Sequence, residues 1–191
     1  MPPMPATNGH SHACCNIPPV VVEGYAAKGS YEQLGGTKTS KLPAFIDSIR
    51  ATYPGITKWG LIGYCWGGKV TELITSSLSN PFTVAASVHP AMINPEGAKS
   101  ISVPYLLLAS GEESAADVAA FENGLSVPHQ VETFSDQIHG WMAARADLSD
   151  PRVREEYARG YQTVLEFFGK HFQSSPEKSQ PISGSRERNR L

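Results

Sequence analysis

The sequence has few cysteines and no excess of positive charge. Only three of its 191 residues are cysteine, namely Cys14, Cys15 and Cys65, and two of these are adjacent. So few thiols cannot form the disulfide framework of a small secreted protein, which favours a reduced, cytoplasmic location. Sixteen Lys and Arg against eighteen Asp and Glu give a formal net charge of −2. Binding to nucleic acid or to anionic lipid is therefore not expected.

Long apolar runs are also missing. The longest aliphatic stretches, such as residues 103–109, are far shorter than the roughly 20 residues that span a bilayer. The amino terminus has neither the basic nor the apolar region of a secretory signal. We therefore expect a soluble protein that does not enter a membrane.

The composition is that of one globular domain with polar ends. Hydrophobic residues make up 40% of the chain and aromatic residues 9%, which excludes a wholly disordered chain. Residues 1–15 mix Pro, Asn, Gly, Ser and His without any period, and residues 173–191 are rich in Ser, Pro and charge. We predict disordered tails at both ends and a single domain over residues 16–172.

Short apolar runs alternate with helical patterns through the middle of the chain. Continuous apolar strands that alternate with helices imply an α/β fold, with a mostly parallel sheet flanked by helices. In such a sheet, ligands bind at the carboxyl ends of the strands. The predicted strands are residues 20–22, 59–65, 83–89, 103–109 and 130–134, and the predicted helices between them are residues 42–53, 67–78 and 115–125.

A further helix is predicted near the carboxyl terminus. Asp150 is a suitable N-cap, and Pro151 stands in the first turn, where proline is tolerated. Apolar residues then recur at helical spacing, which predicts one buried stripe. The predicted stripe consists of Val153, Tyr157, Tyr161, Val164, Leu165 and Phe168.

The segment from Gly63 to Gly68 reads GYCWGG and follows a predicted buried strand. Its G-x-C-x-G spacing is that of a nucleophile elbow with Cys65 in place of serine, in which small residues let strand and helix approach closely. The helix amino terminus that follows favours the thiolate form of Cys65. The alternative is a buried structural cysteine that acts as a small hydrophobic residue.

A thiol nucleophile needs a base, and the base needs an orienting acid. His139 lies in a loop between the last predicted strand and the last helix, and is the natural base, whereas His89 and His129 flank other strands. Glu112 and Glu113 follow the strand at residues 103–109 and are the candidate acids. The order nucleophile, acid, histidine is that of α/β-hydrolases.

These motifs together resemble the fungal branch of the dienelactone hydrolase family. The resemblance extends over about residues 14–172 with one break. It rests on GYCWGGK at residues 63–69, the Pro-led strand that ends in acidic residues, HGWMAARADL at residues 139–148, and Cys14-Cys15 followed by GYAAKGSYEQLGG.

The resemblance implies a hydrolase that opens esters or lactones through an acyl-thiol intermediate, without a cofactor or metal. Cys65 is then the nucleophile and His139 the base. Glu113 is similar to the position at which many members carry Asp, and Glu112 is the alternative after a slip of one residue. The Trp66 N–H is an oxyanion donor, and Arg145 resembles an arginine that contacts the carboxylate of acidic substrates.

The resemblance breaks near Ser40, which leads almost at once into the helix predicted at residues 42–53. Family members carry further strands in that place, together with an oxyanion-hole loop, so the chain reads as a truncated α/β-hydrolase with an internal deletion. A catalytically impaired or non-catalytic binding protein is therefore the alternative function. A metal or redox protein is a third possibility, and its candidate ligands are His10, His12, Cys14 and Cys15.

Overall fold

Helices and strands alternate along residues 42–173, the part of the chain that the computed structural model describes. The elements are α1 (Leu42–Thr52), β1 (Gly60–Tyr64), α2 (Trp66–Thr75), β2 (Val84–Val88), α3 (Pro95–Ala98), β3 (Tyr105–Ser110), α4 (Ala115–Gly124), β4 (His129–Phe134) and α5 (Pro151–Gln173). The strand predicted at residues 20–22 and the amino-terminal tail lie outside the described residues, as does the carboxyl-terminal tail apart from Gln173, where α5 ends.

The four described strands form one parallel sheet in the order β1-β2-β3-β4. Every residue of β2 and β3 is buried, as expected for central strands that are covered on both faces. The predicted α/β class with a parallel sheet is therefore confirmed. It also follows that the residues after β1, β2, β3 and β4 meet at one edge of the sheet, which is where the candidate site lies.

Two apolar layers cover the sheet. On one face, Leu106 and Leu108 of β3 pack with Trp141 and with Val164 and Phe167 of α5. On the other face, the alternate residues of β3 pack against α4 and its surroundings; they are Tyr105, Leu107 and Ala109. The side chains of β3 alternate between the two layers because successive residues of a strand point to opposite faces.

Helix α5 begins where the sequence predicts, because the Asp150 carboxylate accepts hydrogen bonds from the backbone N–H groups of Arg152 (2.7 Å) and Val153 (3.3 Å). The predicted buried stripe is wrong at Leu165, whose side chain is 67% exposed. The prediction is confirmed at Val164, and the other buried positions are Glu156, Gly160, Phe167 and His171. Leu165 follows Val164 directly and so points about 100° away from the centre of this face.

Helix α2 ends at Thr75, three residues before its predicted end at Leu78. The next residues form a polar turn, in which the Ser77 hydroxyl contacts Ser79 and the Asn80 N–H bonds to the Ser77 carbonyl. Serine and asparagine side chains form hydrogen bonds with nearby backbone groups, and these bonds compete with those of a continuing helix. Leu78 lies in this turn and is fully exposed.

Strand β1 pairs with β2 and with no other strand among residues 42–173. The Trp59 carbonyl and the Cys65 N–H bond toward β2. Backbone groups alternate in direction along a strand, so those of Gly60, Ile62 and Tyr64 point to the opposite, open side. Helix α1 lies near this edge, across an apolar groove whose lining includes Phe45, Ile49, Trp59, Ile74 and Phe82.

None of the helices in residues 42–173 has the length and apolar character that crossing a membrane requires. The cytoplasmic location therefore stays a prediction that rests on the cysteine content alone.

Candidate active site

Cys65 occupies a strained turn between β1 and α2. Its φ of 53° and ψ of −119° are unusual for a residue with a side chain, and its side chain is exposed. The Cys65 N–H bonds to the Val88 carbonyl at 3.1 Å, and the Cys65 carbonyl accepts from the Ala91 N–H at 2.9 Å. The alternative of a buried structural cysteine is therefore wrong, and the turn has the form of a nucleophile elbow.

The glycines that have no room for a Cβ at the elbow are not the pair that the sequence motif predicts. A Cβ at Gly63 would lie 2.0 Å from the Gly67 carbonyl oxygen, so β1 and α2 can meet only if residue 63 is glycine. A Cβ at Gly67 would meet open space, whereas one at Gly68 would lie 2.8 Å from Cβ of Pro90. Close approach at the elbow thus requires glycine at positions 63 and 68. The prediction from the G-x-C-x-G spacing that Gly67 permits the close approach of β1 and α2 is wrong.

His139 connects Cys65 to an acidic side chain. Its Nδ1 lies 2.7 Å from Oε1 of Glu113, whose side chain is only 7% exposed. The other carboxylate oxygen of Glu113 accepts a short hydrogen bond from the Ser110 N–H. Cys65 acts on the same imidazole, because the thiol is near enough to raise the pKa of His139. The loops after β1, β3 and β4 therefore bring a thiol, an imidazole and a carboxylate into one site.

The ionisation of His139 and Glu113 reflects this contact. The hydrogen bond that His139 donates to Glu113, together with the nearby Cys65, raises the pKa of His139 to about 9 against the opposing effect of partial burial. Burial by itself raises the pKa of Glu113, but its hydrogen bonds with His139 and Ser110 outweigh that effect and lower it. Both shifts favour a positive imidazolium beside a carboxylate.

Glu112 and Arg145 contact the backbone of His139 rather than its ring. Oε2 of Glu112 accepts a hydrogen bond from the His139 N–H at 3.0 Å. Nη1 of Arg145 donates to the His139 carbonyl at 2.7 Å and lies 3.6 Å from the Glu112 carboxylate. Of the two candidate acids, Glu113 is thus the one that reaches the imidazole. Arg145 is more than half exposed and borders the same loop.

Trp66 is the first residue of α2 and directly follows Cys65. Its backbone N–H therefore belongs to the amino-terminal end of that helix, where the helix dipole favours negative charge. This is the position in which an elbow hydrolase places one of its oxyanion donors.

Sequence reasoning overlooked His89, which follows β2 at the same edge of the sheet. It is 1% exposed, and its ring centroid lies 4.9 Å from that of His139. A signal was available, because His89 stands at the carboxyl end of a predicted buried strand, where functional residues are expected in this fold.

Within residues 42–173, no group of three or more His, Cys, Asp or Glu residues is arranged to hold a metal ion. The candidate ligands of the third possibility, His10, His12, Cys14 and Cys15, lie outside the described residues. That possibility is untested and stays a prediction.

Comparisons with known proteins agree on one family. Residues 33–172 match the profile of the dienelactone hydrolase family. Two uncharacterized AIM2 family proteins of Schizosaccharomyces pombe are 38% and 34% identical, over 67% and 86% of this chain and 53% and 69% of their own lengths. Dienlactone hydrolase 1 of Gibberella moniliformis is 27% identical over 65% of this chain and 51% of its own length. The chain thus spans between about half and two thirds of these relatives.

Solved structures share the fold. A dienelactone hydrolase-like promiscuous phosphotriesterase from metagenomic libraries superimposes with a TM-score of 0.54 at 16% identity, over 74% of this chain and 65% of its own. The dienelactone hydrolase of Anabaena variabilis gives a TM-score of 0.53 at 16% identity, over 71% of this chain and 60% of its own. From the profile match and the relatives together, the chain belongs to the dienelactone hydrolase family.

Proposed function

We propose that this chain hydrolyses carboxylic esters or lactones, including dienelactone-type substrates, with Cys65 as nucleophile, His139 as base and Glu113 as the orienting acid. One observation carries the proposal: the exposed thiol at the strained elbow, His139 and Glu113 come from strand ends at one edge of the sheet, and Nδ1 of His139 lies 2.7 Å from Oε1 of Glu113. A nucleophile, a base and an acid in this order are what covalent acyl transfer needs. Membership of the family supports the same reaction class.

In the acylation step, His139 holds the proton of Cys65, and the thiolate attacks the carbonyl carbon of the substrate. The carbonyl π electrons move to oxygen and give a tetrahedral oxyanion. When this intermediate collapses, the bond to the leaving oxygen breaks, and His139 gives its proton to that oxygen. An acyl-thioester on Cys65 remains, with an alcohol as the product, or with the alcohol end of an opened lactone still attached.

In the deacylation step, neutral His139 accepts a proton from a water molecule as that water attacks the thioester carbonyl. Collapse of the second tetrahedral intermediate breaks the C–S bond, so that a carboxylic acid leaves and the Cys65 thiolate is restored beside protonated His139. Glu113 keeps the imidazole oriented through both steps, because its carboxylate accepts the Nδ1–H hydrogen bond.

The Trp66 N–H is the proposed oxyanion donor in both steps. The proposed substrate contact is Arg145, because a guanidinium has five N–H donors and can bind a carboxylate while it still donates to the His139 carbonyl. Esters and lactones that carry a carboxylate are therefore the favoured substrates. The same mechanism also hydrolyses simple esters.

Hydrolysis of p-nitrophenyl acetate or a small lactone tests the proposal. We expect turnover by the wild-type chain and a loss on the order of 10³-fold or more in Cys65→Ala, since that variant has no nucleophile. A chain with Cys14→Ser and Cys15→Ser is the matched control and should keep its activity, because it retains Cys65. Equal rates in wild type and Cys65→Ala would rule out Cys65 catalysis.

The open side of β1 favours a second candidate, a member that binds an acyl compound without turning it over. Among residues 42–173, no strand lies beside β1 on the side away from β2, and an elbow hydrolase takes its second oxyanion donor from a loop of the earlier sheet. Loss of one such donor typically costs about 10²–10³ in turnover. A chain whose Cys65 is rapidly acylated but releases no further product would favour this candidate.

A further inference from the structure

His89 is buried beside the candidate site in an unfavourable state. It follows β2 with a φ of 37°, in the positive range that is uncommon for residues other than glycine. It is 1% exposed, and within the described part of the chain neither ring nitrogen has a hydrogen-bond partner. Buried polar groups are normally paired. The contacts that the described part of the chain gives this side chain are those of its ring.

Those contacts are with the candidate base and with the strand that carries the nucleophile. The His89 ring meets that of His139 nearly edge to face, with an interplanar angle of 65° and centroids 4.9 Å apart. The ring centroid of Tyr64, the last residue of β1, lies 5.8 Å from that of His89. The buried ring of His89 thus packs against that of His139.

The segment that carries His89 also holds the backbone of Cys65. The Val88 carbonyl, just before His89, accepts the Cys65 N–H, and the Ala91 N–H, just after it, donates to the Cys65 carbonyl. The His89 N–H is itself bonded to the Leu108 carbonyl of β3 at 2.6 Å. One short segment therefore fixes the elbow through its backbone and meets His139 through its side chain.

The surroundings keep His89 uncharged. Burial, together with the positive charge of His139, lowers the pKa of His89 to about 4, although Glu113 acts weakly in the opposite direction. The groups around it that can titrate are His139 and Glu113 from the loops after β4 and β3, and Tyr64 from β1. A neutral ring can pack against an imidazolium, whereas a second positive charge at this distance would repel it.

We propose that His89 is a positioning residue, whose uncharged ring packs against the His139 imidazole and so fixes its orientation toward Cys65. This inference rests on the proposed roles of Cys65 and His139 and adds a residue that supports them. It makes a distinction that a hydrogen-bonding or proton-transfer role of His89 would not make: the reactivity of the thiol near neutral pH should require an aromatic ring at position 89, and should not require its nitrogen atoms.

The test is the rate at which iodoacetamide alkylates Cys65 between pH 5 and pH 9. Full-length chains with Cys14→Ser and Cys15→Ser carry Cys65 as their sole thiol. Two variants are compared in this background: His89→Asn suits the left-handed backbone but has no ring, and His89→Phe keeps a ring without nitrogen. His129→Asn is the control, since His129 is exposed and begins β4, away from the carboxyl ends of the strands.

At pH 6 we expect His89→Asn to react roughly tenfold more slowly than the unsubstituted background, as for a shift of one pH unit in the alkylation profile. His89→Phe should stay within about threefold of the background, because an aromatic ring still supports the imidazolium. His129→Asn should not change the rate. A profile of His89→Asn that matches the background would overturn the proposal, as would a loss in His89→Phe as large as that in His89→Asn.

Histidine NMR titration of the wild-type chain provides a second measurement that needs no variant. His89 should remain neutral down to about pH 5, whereas His139 should titrate near pH 9. Titration of His89 between pH 6 and pH 7 would overturn the proposal. Neither measurement depends on turnover, so a chain that shows these profiles without hydrolysing esters would contradict the proposed function and leave the role of His89 intact.

Discussion

The two sides of β1 differ in how completely the described chain covers them. On one side, the sheet continues through β2, β3 and β4 between two apolar layers. On the other side, residues 42–173 contribute no strand, and the nearby α1 borders an apolar groove in which Phe45 is 44% exposed. The candidate base and acid both come from loops on the well-packed side, and the candidate nucleophile stands at the boundary between the two sides.

This difference shows how a nucleophile at the edge of a sheet can keep its geometry. The backbone of Cys65 is anchored to Val88 and Ala91, which both belong to the packed side. The strain of the elbow is therefore balanced by contacts that do not depend on α1. The open side should affect substrate binding and oxyanion stabilisation more than the alignment of Cys65 with His139.

The largest predicted effect is a difference in the free energy of unfolding between a substitution in the packed sheet and one in α1. Leu106 of β3 is fully buried, so Leu106→Ala should lower the free energy of unfolding by about 2–5 kcal/mol. Ile49 of α1 is only half-buried in the groove, so Ile49→Ala should cost less than about 1 kcal/mol. Urea denaturation of both variants measures the difference. Similar losses would mean that the side with α1 is as well packed as the other.

The strands on the packed side of β1 and the elbow could be predicted from the sequence, because the patterns that indicate them lie within a few consecutive residues. Strands β2 and β3 are short apolar runs, and the elbow has a fixed spacing around Cys65. The choice between Glu112 and Glu113 could not be made in this way, because the turn after β3 decides which carboxylate faces His139. His89 was overlooked for a similar reason, since its contact with His139 joins two loops that are 50 positions apart in the sequence.

The second predicted effect concerns pH and the ion pair on the packed side. The pKa of Glu113 is lowered on folding, so its contribution to stability is present above about pH 4 and is lost as the pH falls through the folded value. The pKa of His139 is raised to about 9, so its contribution is complete below about pH 6.5 and is lost as the pH rises toward 9. Stabilisation by the pair is therefore greatest between about pH 5 and 6.5.

Denaturation across pH 5–9 should show this window. The free energy of unfolding of Glu113→Gln should fall below that of wild type by roughly 1 kcal/mol near pH 6, with the pair discounted for partial exposure, and by less near pH 9. Glu112→Gln is the matched control, because Glu112 is half exposed and bonds to the backbone of His139. A difference between Glu113→Gln and wild type that stays constant across this range would mean that the two groups do not form an ion pair.

The smallest predicted effect lies on α5, at the face where the sequence pattern misplaced one residue. Leu165 is 67% exposed, so Leu165→Gln should change the free energy of unfolding by less than about 0.5 kcal/mol. Its neighbour Val164 is 6% exposed and belongs to the layer with Leu106 and Trp141, so Val164→Ala should cost about 1–2 kcal/mol. If Leu165→Gln were the more destabilising of the two, α5 would be rotated from the position described, and the boundary between packed and exposed surface would run along a different face.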